Sequence, residues 1–124
     1  MTTILYIEDD PINARLVRRM LDDATFTLLS AEDGLEGLQI ARQQRPDLIL
    51  MDINLPSVSG LDITRRLKAD KELRHIPVIA LTGNDKMKDR GEALAAGCDD
   101  YLPKPVSRLE LLKTIEQHLS QRRP

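Results

Sequence analysis

The stretch Leu48-Ile49-Leu50-Met51-Asp52-Ile53-Asn54-Leu55-Pro56-Ser57-Val58-Ser59-Gly60 decides how the chain is read. Four apolar residues in a row, Leu48 to Met51, fit a strand buried on both faces, the kind found inside a parallel sheet. The run stops at an acid, Asp52, and Asn54, Pro56 and Gly60 then supply turn chemistry. A carboxylate at the mouth of a buried strand is poor packing material, so its presence calls for a chemical reason.

Working outward, apolar runs recur at Ile4 to Ile7, Phe26 to Leu29 and Val78 to Leu81, with a shorter one at Tyr101-Leu102. The spacing of roughly 20 to 30 residues is that of a strand plus a crossover helix. Between the runs, helical periodicity appears at Asn13, Leu16, Val17, Met20 and Leu21, at Leu38 and Ala41, at Ile63 and Leu67, at Leu94, and at Leu109, Leu112, Ile115 and Leu119. These stripes are expected to be core. Asp10 before Pro11 reads as a helix N-cap with proline at the first helical position, and Ser107 with Glu110 as a capping box. The predicted fold class is α/β, a (βα)5 unit whose five-stranded parallel sheet has the flavodoxin-like order 2-1-3-4-5, with helices on both faces. Residues 1–124 are expected to form one domain.

In such sheets ligands collect outside the carboxyl ends of the strands. Strand one ends in Glu8-Asp9-Asp10, strand three in Asp52, strand four in Thr82-Gly83, and strand five runs into Lys104-Pro105. Two carboxylates about 5 Å apart repel by about 3 kcal/mol at an effective dielectric near 20. Glu8, Asp9 and Asp52 gathered on one rim therefore need cations. Lys104 supplies one charge, and a hard divalent ion with oxygen ligands, of the Mg²⁺ type, would balance the rest. Each residue alone has a plainer reading: Asp10 as a cap, Asp52 as a turn acid, Thr82 as a strand-end hydroxyl, Lys104 as a solvated cation. Their occurrence at corresponding ends of four strands favours the site.

Composition excludes other classes. Eighteen basic against twenty acidic side chains give a net charge of −2, no footprint for nucleic acid, and only Tyr6, Phe26 and Tyr101 could stack on bases. No long apolar run suggests a membrane span or export signal, and the lone Cys98 has no partner for an internal disulfide, so a cytoplasmic setting is expected. His75 and His118 lack metal-ligand spacing with Cys98, which reads as a small packing residue near the fifth strand. No G-x-x-x-x-G-K-[ST] string exists, which removes a P-loop nucleotidase.

At YIEDDP, LILMDINLPSVSG, VIALTG and DDYLPKP the chain resembles the receiver domain of two-component response regulators, along essentially its whole length. Single-domain members of that family include chemotaxis-type and DivK-type regulators, and the stretch EDDPINARLV also resembles receivers at the ends of hybrid sensor kinases. The resemblance implies that Asp52 accepts a phosphoryl group from a histidine kinase or phosphotransfer protein. It also implies that Mg²⁺ (or Mn²⁺) is held by Asp9, Asp52 and the backbone carbonyl of Asn54, with Glu8 acting through water. By the same resemblance Thr82 and Lys104 contact the phosphoryl group, Tyr101 is the aromatic switch, and Lys104-Pro105 is a cis peptide. Gly60 is expected to be structural.

The partner surface is expected on the fourth helix, fifth strand and fifth helix, with Lys88, Arg90, Tyr101 and Leu111 as candidates. Ile12, Arg15 and Arg19 form an outward stripe of the first helix, suited to docking a kinase or phosphotransfer helix; a solvated arginine face is the alternative. Asn84 and Asp85 before a fourth helix interrupted by Gly91 suggest a weakly encoded, switch-bearing element. A hybrid-kinase relay is one alternative. An aspartyl-phosphate phosphatase is another, which Asn54 disfavours, since such enzymes carry an acid at that position.

Overall fold

The structure is a computed structural model describing residues 2–22, 26–55, 58–83 and 87–122, apart from the side chains of 87–89 and 121–122. Pro56, Asn84, Asp85 and the Lys88 side chain lie outside the described residues. In chain order the elements are β1 (Thr2–Ile7), α1 (Pro11–Leu21), β2 (Phe26–Ala31), α2 (Gly34–Gln44) and β3 (Leu48–Asp52). There follow α3 (Gly60–Ala69), β4 (Val78–Thr82), α4 (Met87–Ala96), β5 (Asp100–Pro103) and α5 (Arg108–Arg122). The strands are parallel in the order β2-β1-β3-β4-β5, as the sequence led us to expect.

The all-apolar strands are explained by two cores, one on each face. Alternation sends Leu5, Ile7, Ile49, Met51, Val78 and Ala80 to a cluster with Leu38 and Ala41 of α2, Ile63 and Leu67 of α3 and Ala93 of α4. Their neighbours Ile4, Tyr6, Leu48, Leu50, Ile79 and Leu81 meet Val17 and Leu21 of α1 and Leu111 and Ile115 of α5 on the other face. Because β1, β3 and β4 are covered on both sides, their central runs, residues 4–7, 48–51 and 78–81, carry no charged residue and point large apolar or aromatic groups to both faces. Burying one such side chain fully contributes about 1.5–3 kcal/mol, so the central strands are the most firmly fixed part of the molecule.

Three stripe residues are not core. Leu16 is 50% exposed and Leu109 66%, and Leu94 is also exposed. In α1 the buried pair is Val17 and Leu21, four residues apart, and Leu16 lies about 100° away round the helix. In α4 the contacts are made by the small Ala93 and Ala96, which turns Leu94 outward. The converse correction concerns Leu111, proposed for the partner surface. It is 0% exposed, because α5 rests on the sheet through Leu111 and Ile115.

The caps follow the sequence. Asp10 Oδ1 accepts from the Ile12 amide at 2.9 Å, with Pro11 opening the helix. At α5 the Ser107 hydroxyl accepts from the Glu110 amide at 3.1 Å and also lies 3.3 Å from the Glu110 carboxylate. The side-chain half of the expected box is therefore made hydroxyl to carboxylate.

Candidate functional site

The rim at the carboxyl ends of β1, β3, β4 and β5 is built from backbone pairing. The Glu8 amide donates to the Ala31 carbonyl at 3.0 Å, which carries β1 one residue past its paired end. Asp10 is occupied as the α1 cap, with Asn13 Nδ2 donating to its second oxygen at 3.1 Å. Asp9 stays exposed in the turn between them. Asp52 pairs with Leu81 across β3 and β4, so Thr82, the next residue, stands at the same rim. Both are almost wholly buried. The Lys104 amide donates to the Thr82 carbonyl at 2.6 Å, locking the end of β5 beside β4. Pro103 sits on this edge strand, where its missing N–H is tolerated, and Lys104-Pro105 is a cis peptide.

This frame brings the side chains together. One carboxylate oxygen each from Glu8, Asp9 and Asp52 lie within 4.8 Å of one another. Lys104 Nζ is 2.9 Å from Glu8 Oε1 and 3.5 Å from Asp52 Oδ1. The Asn54 amide donates to Asp52 Oδ1 at 3.0 Å, a turn that fixes the carboxylate from behind. Gly60 closes that turn: its amide donates to the Ile53 carbonyl at 3.1 Å, and a Cβ there would fall 2.3 Å from the Asp52 carbonyl oxygen. Only glycine permits α3 to start so close to the strand that carries Asp52.

The electrostatics match the formal sum of three acids against one lysine. Burial, reinforced by a hydrogen bond with Asp52 and its charge, pushes the Glu8 carboxyl above its usual range, while Lys104 pulls it back. Burial alone would lower the Lys104 ammonium. Its hydrogen bond with Glu8 and the charges of Asp52 and Glu8 outweigh that and hold it above its ordinary value. The surplus of negative oxygens is what a hard divalent cation neutralises, and the all-oxygen donor set suits Mg²⁺. An open cleft of about 480 Å³ borders Glu8 and Asp9, reaching Arg15, Arg18 and Glu32.

One contributor was missed in the sequence. The buried Tyr6 hydroxyl donates to Glu8 Oε1 at 2.9 Å. The signal was available, since residues two apart along a strand share a face. Of the surface candidates, Ile12 is 69% exposed, and Arg15, Arg19 and Arg90 are exposed. Tyr101 is half-buried against the α2–α4 face.

The comparisons with known proteins agree with this geometry. The family model described as the response regulator receiver domain matches residues 4–116. The polar-differentiation response regulator DivK of Brucella anthropi is 43% identical over 117 residues, covering 94% of this chain and 95% of that protein. The receiver domain of a sensor histidine kinase from Pseudomonas aeruginosa PAO1, solved with a magnesium ion coordinated in its active-site cleft, superposes with a TM-score of 0.90. It is 37% identical and the match covers 96% of this chain and 98% of that one. The chemotaxis response regulator CheY4 of Vibrio cholerae gives 0.88 at 28% identity, covering 95% of this chain and 98% of that one. With the family model matching residues 4–116 and a relative 43% identical over 94% of this chain, the chain belongs to the response regulator receiver domain family, a family of two-component signalling proteins.

Proposed function

We propose that the chain works as a single receiver domain, residues 1–124, in which Asp52 accepts a phosphoryl group from a sensor histidine kinase or a histidine phosphotransfer protein. The observation that carries this reading is the Asp52 carboxylate, fixed at a strand end with Glu8 and Asp9 oxygens within 4.8 Å and Lys104 Nζ at 3.5 Å. An Asp52 oxygen attacks phosphorus, the P–N bond of the donor phosphohistidine breaks, and its electron pair leaves with the imidazole, which keeps or takes a proton. The product is an acyl phosphate.

Reactions of this kind depend on positioning and charge neutralisation more than on covalent help from the protein. Asp9, Asp52 and the Asn54 carbonyl would hold Mg²⁺ or Mn²⁺, with Glu8 behind them; bound there, the ion supplies charge neutralisation for the phosphoryl oxygens. Lys104 provides a second positive group from the β5 side. The turn through Asn54 and Gly60 fixes the Asp52 carboxylate and its backbone at the rim, where an incoming phosphoryl group would have to reach it.

Phosphorylation takes Asp52 from one negative charge to about two and adds acceptor oxygens. The Thr82 hydroxyl, one residue beyond the strand partner of Asp52, is placed to follow that charge. Tyr101, half-buried beside α4, is the side chain that would respond, altering the surface of α4, β5 and α5 for a downstream protein. Arg90 and Tyr101 remain candidates on that surface, and Ile12, Arg15 and Arg19 on α1 for the phosphoryl donor. The setting is cytoplasmic, without direct nucleic-acid or membrane contact. A place inside a hybrid-kinase relay is the second reading, favoured by the 37% identity to a sensor kinase's receiver.

The test is incubation with acetyl phosphate and Mg²⁺, followed by mass analysis. One phosphoryl adduct is expected on the wild type and none on Asp52→Asn. Continuous release of phosphate from a simple ester, lost in Asp52→Asn, would instead make the protein a phosphatase.

A further inference from the structure

Glu8 is held by three protein donors. Its Oε1 accepts from the Tyr6 hydroxyl and from Lys104 Nζ, both at 2.9 Å, and its Oε2 from the Asp10 amide at 3.3 Å. Tyr6 is in turn immobilised. Its ring is among the largest fully buried side chains and belongs to the core beneath α1 and α5, in the cluster that holds Val17, Leu21, Leu81 and Leu111. The hydroxyl therefore has a direction set by packing, not by the site. A glutamate has one more rotatable bond than an aspartate, so bringing it to a crowded rim in a single orientation requires an extra fixed contact.

We propose that Tyr6 is a positioning residue: its core-anchored hydroxyl holds Glu8 Oε1 beside Lys104 and thereby fixes where the Glu8 carboxylate stands relative to Asp9 and Asp52. The inference rests on the reading of these acids as a Mg²⁺ site. It goes beyond that reading by giving a residue buried in the sheet a role in how well the ion is gripped. Removing an outer partner of a metal site weakens metal affinity by about tenfold or more. The Tyr6 hydroxyl acts only through the longer acid, so its effect has to vanish when the acid is shortened.

The experiment is a calorimetric titration with Mg²⁺ of four proteins: wild type, Tyr6→Phe, Glu8→Asp and the double variant. Tyr6→Phe removes a single oxygen and keeps the ring. It is expected to weaken Mg²⁺ binding about tenfold in the wild-type background and to leave it within about twofold in the Glu8→Asp background. Thermal melting in EDTA reports folding independently of the ion, and a metal-free crystal structure of Tyr6→Phe should show Glu8 Oε1 turned away from Lys104. Equal losses in both backgrounds, or a Glu8 carboxylate in its original place, would overturn the proposal and leave Tyr6 as packing. A wild type that binds Mg²⁺ no better than Tyr6→Phe would overturn it alone; a wild type that binds none would remove the metal-site reading together with it.

Discussion

Two lysines of nearly equal exposure, 20% for Lys68 and 21% for Lys104, stand at opposite ends of the sheet and are used in opposite ways. Lys68, on α3, donates to the carbonyls of Arg74 and Ile76 at 3.2 and 2.9 Å and to Asp99 Oδ2 at 2.8 Å. Asp99 in turn accepts from the Val78 amide at 2.8 Å. One cation meets one acid, and all three ammonium donors are used. This is a fastener joining α3, the start of β4 and the entry to β5. Lys104 faces Glu8 and Asp52 with Asp9 nearby, three acids to one cation. A balanced lysine closes a structure, whereas an outnumbered one marks a place where further positive charge is wanted.

Exchanging each lysine for methionine should separate the two roles, and these are the largest stability effects we expect. In EDTA, Lys104→Met leaves Glu8 and Asp52 buried without their counter-charge and should lose about 3 kcal/mol, the low end for breaking a buried pair. Saturating Mg²⁺ should stabilise Lys104→Met by more than it stabilises the wild type, because with Lys104 gone the ion takes over the counter-charge of Glu8 and Asp52 and is held more tightly. Lys68→Met should lose about 2 kcal/mol through the abandoned carbonyls and Asp99, and Mg²⁺ should restore none of it beyond the wild-type gain. Urea unfolding with and without Mg²⁺ checks both. Equal Mg²⁺ rescue of the two variants would erase the distinction.

The comparison also explains what could be read from the sequence. The central strands were legible because sheets covered on both faces leave no polar position between Leu48 and Met51 or Val78 and Leu81. The rim was legible because strand ends in this topology converge, so Glu8, Asp9, Asp52, Thr82 and Lys104 could be placed together without coordinates. The fastener was not, since Lys68 and Asp99 lie 31 residues apart and nothing local distinguishes either from a solvated charge. Helix faces were half legible: periodicity gave the spacing in α1, α4 and α5 but not which stripe the neighbours would cover. That is why Leu16, Leu94 and Leu109 came out exposed and Leu111 buried.

Between the two lysines runs α4, which begins beyond Thr82 at the open end and returns the chain to Asp99 at the fastened end. Gly91 sits inside it, and a Cβ there would meet nothing within 4 Å among the described residues. Gly91→Ala should therefore stabilise the fold by about 1 kcal/mol, the helix-propensity difference, without steric conflict. If α4 carries the response to phosphorylation, its amide hydrogen exchange should slow in the variant before phosphorylation and change less after it. An unchanged melting temperature would mean that α4 contributes nothing to the global transition.

The smallest effect lies at the fastened end, where Cys98 precedes Asp99. Burial pushes its thiol above the usual value; its hydrogen bond with Thr64 Oγ1, at 3.8 Å, works against this, Asp99 adds to it and Lys68 opposes it. A folded-state pKa above the unfolded one means that the native protein keeps a proton the unfolded chain gives up. The contribution is thus fully present below about pH 8.5, the unfolded thiol value, and is lost as pH rises towards the folded one. One thiol limits this slope to about 1.4 kcal/mol per pH unit. Lys104, also raised, follows the same sign but begins higher, near the lysine value of about 10.4. Urea midpoints between pH 8 and 10 should therefore fall for the wild type and stay flatter for Cys98→Ala, while the Mg²⁺-dependent gain at the acidic rim remains in both. Identical slopes would place the alkaline loss at other groups and free Cys98 from any link to the Lys68 fastener.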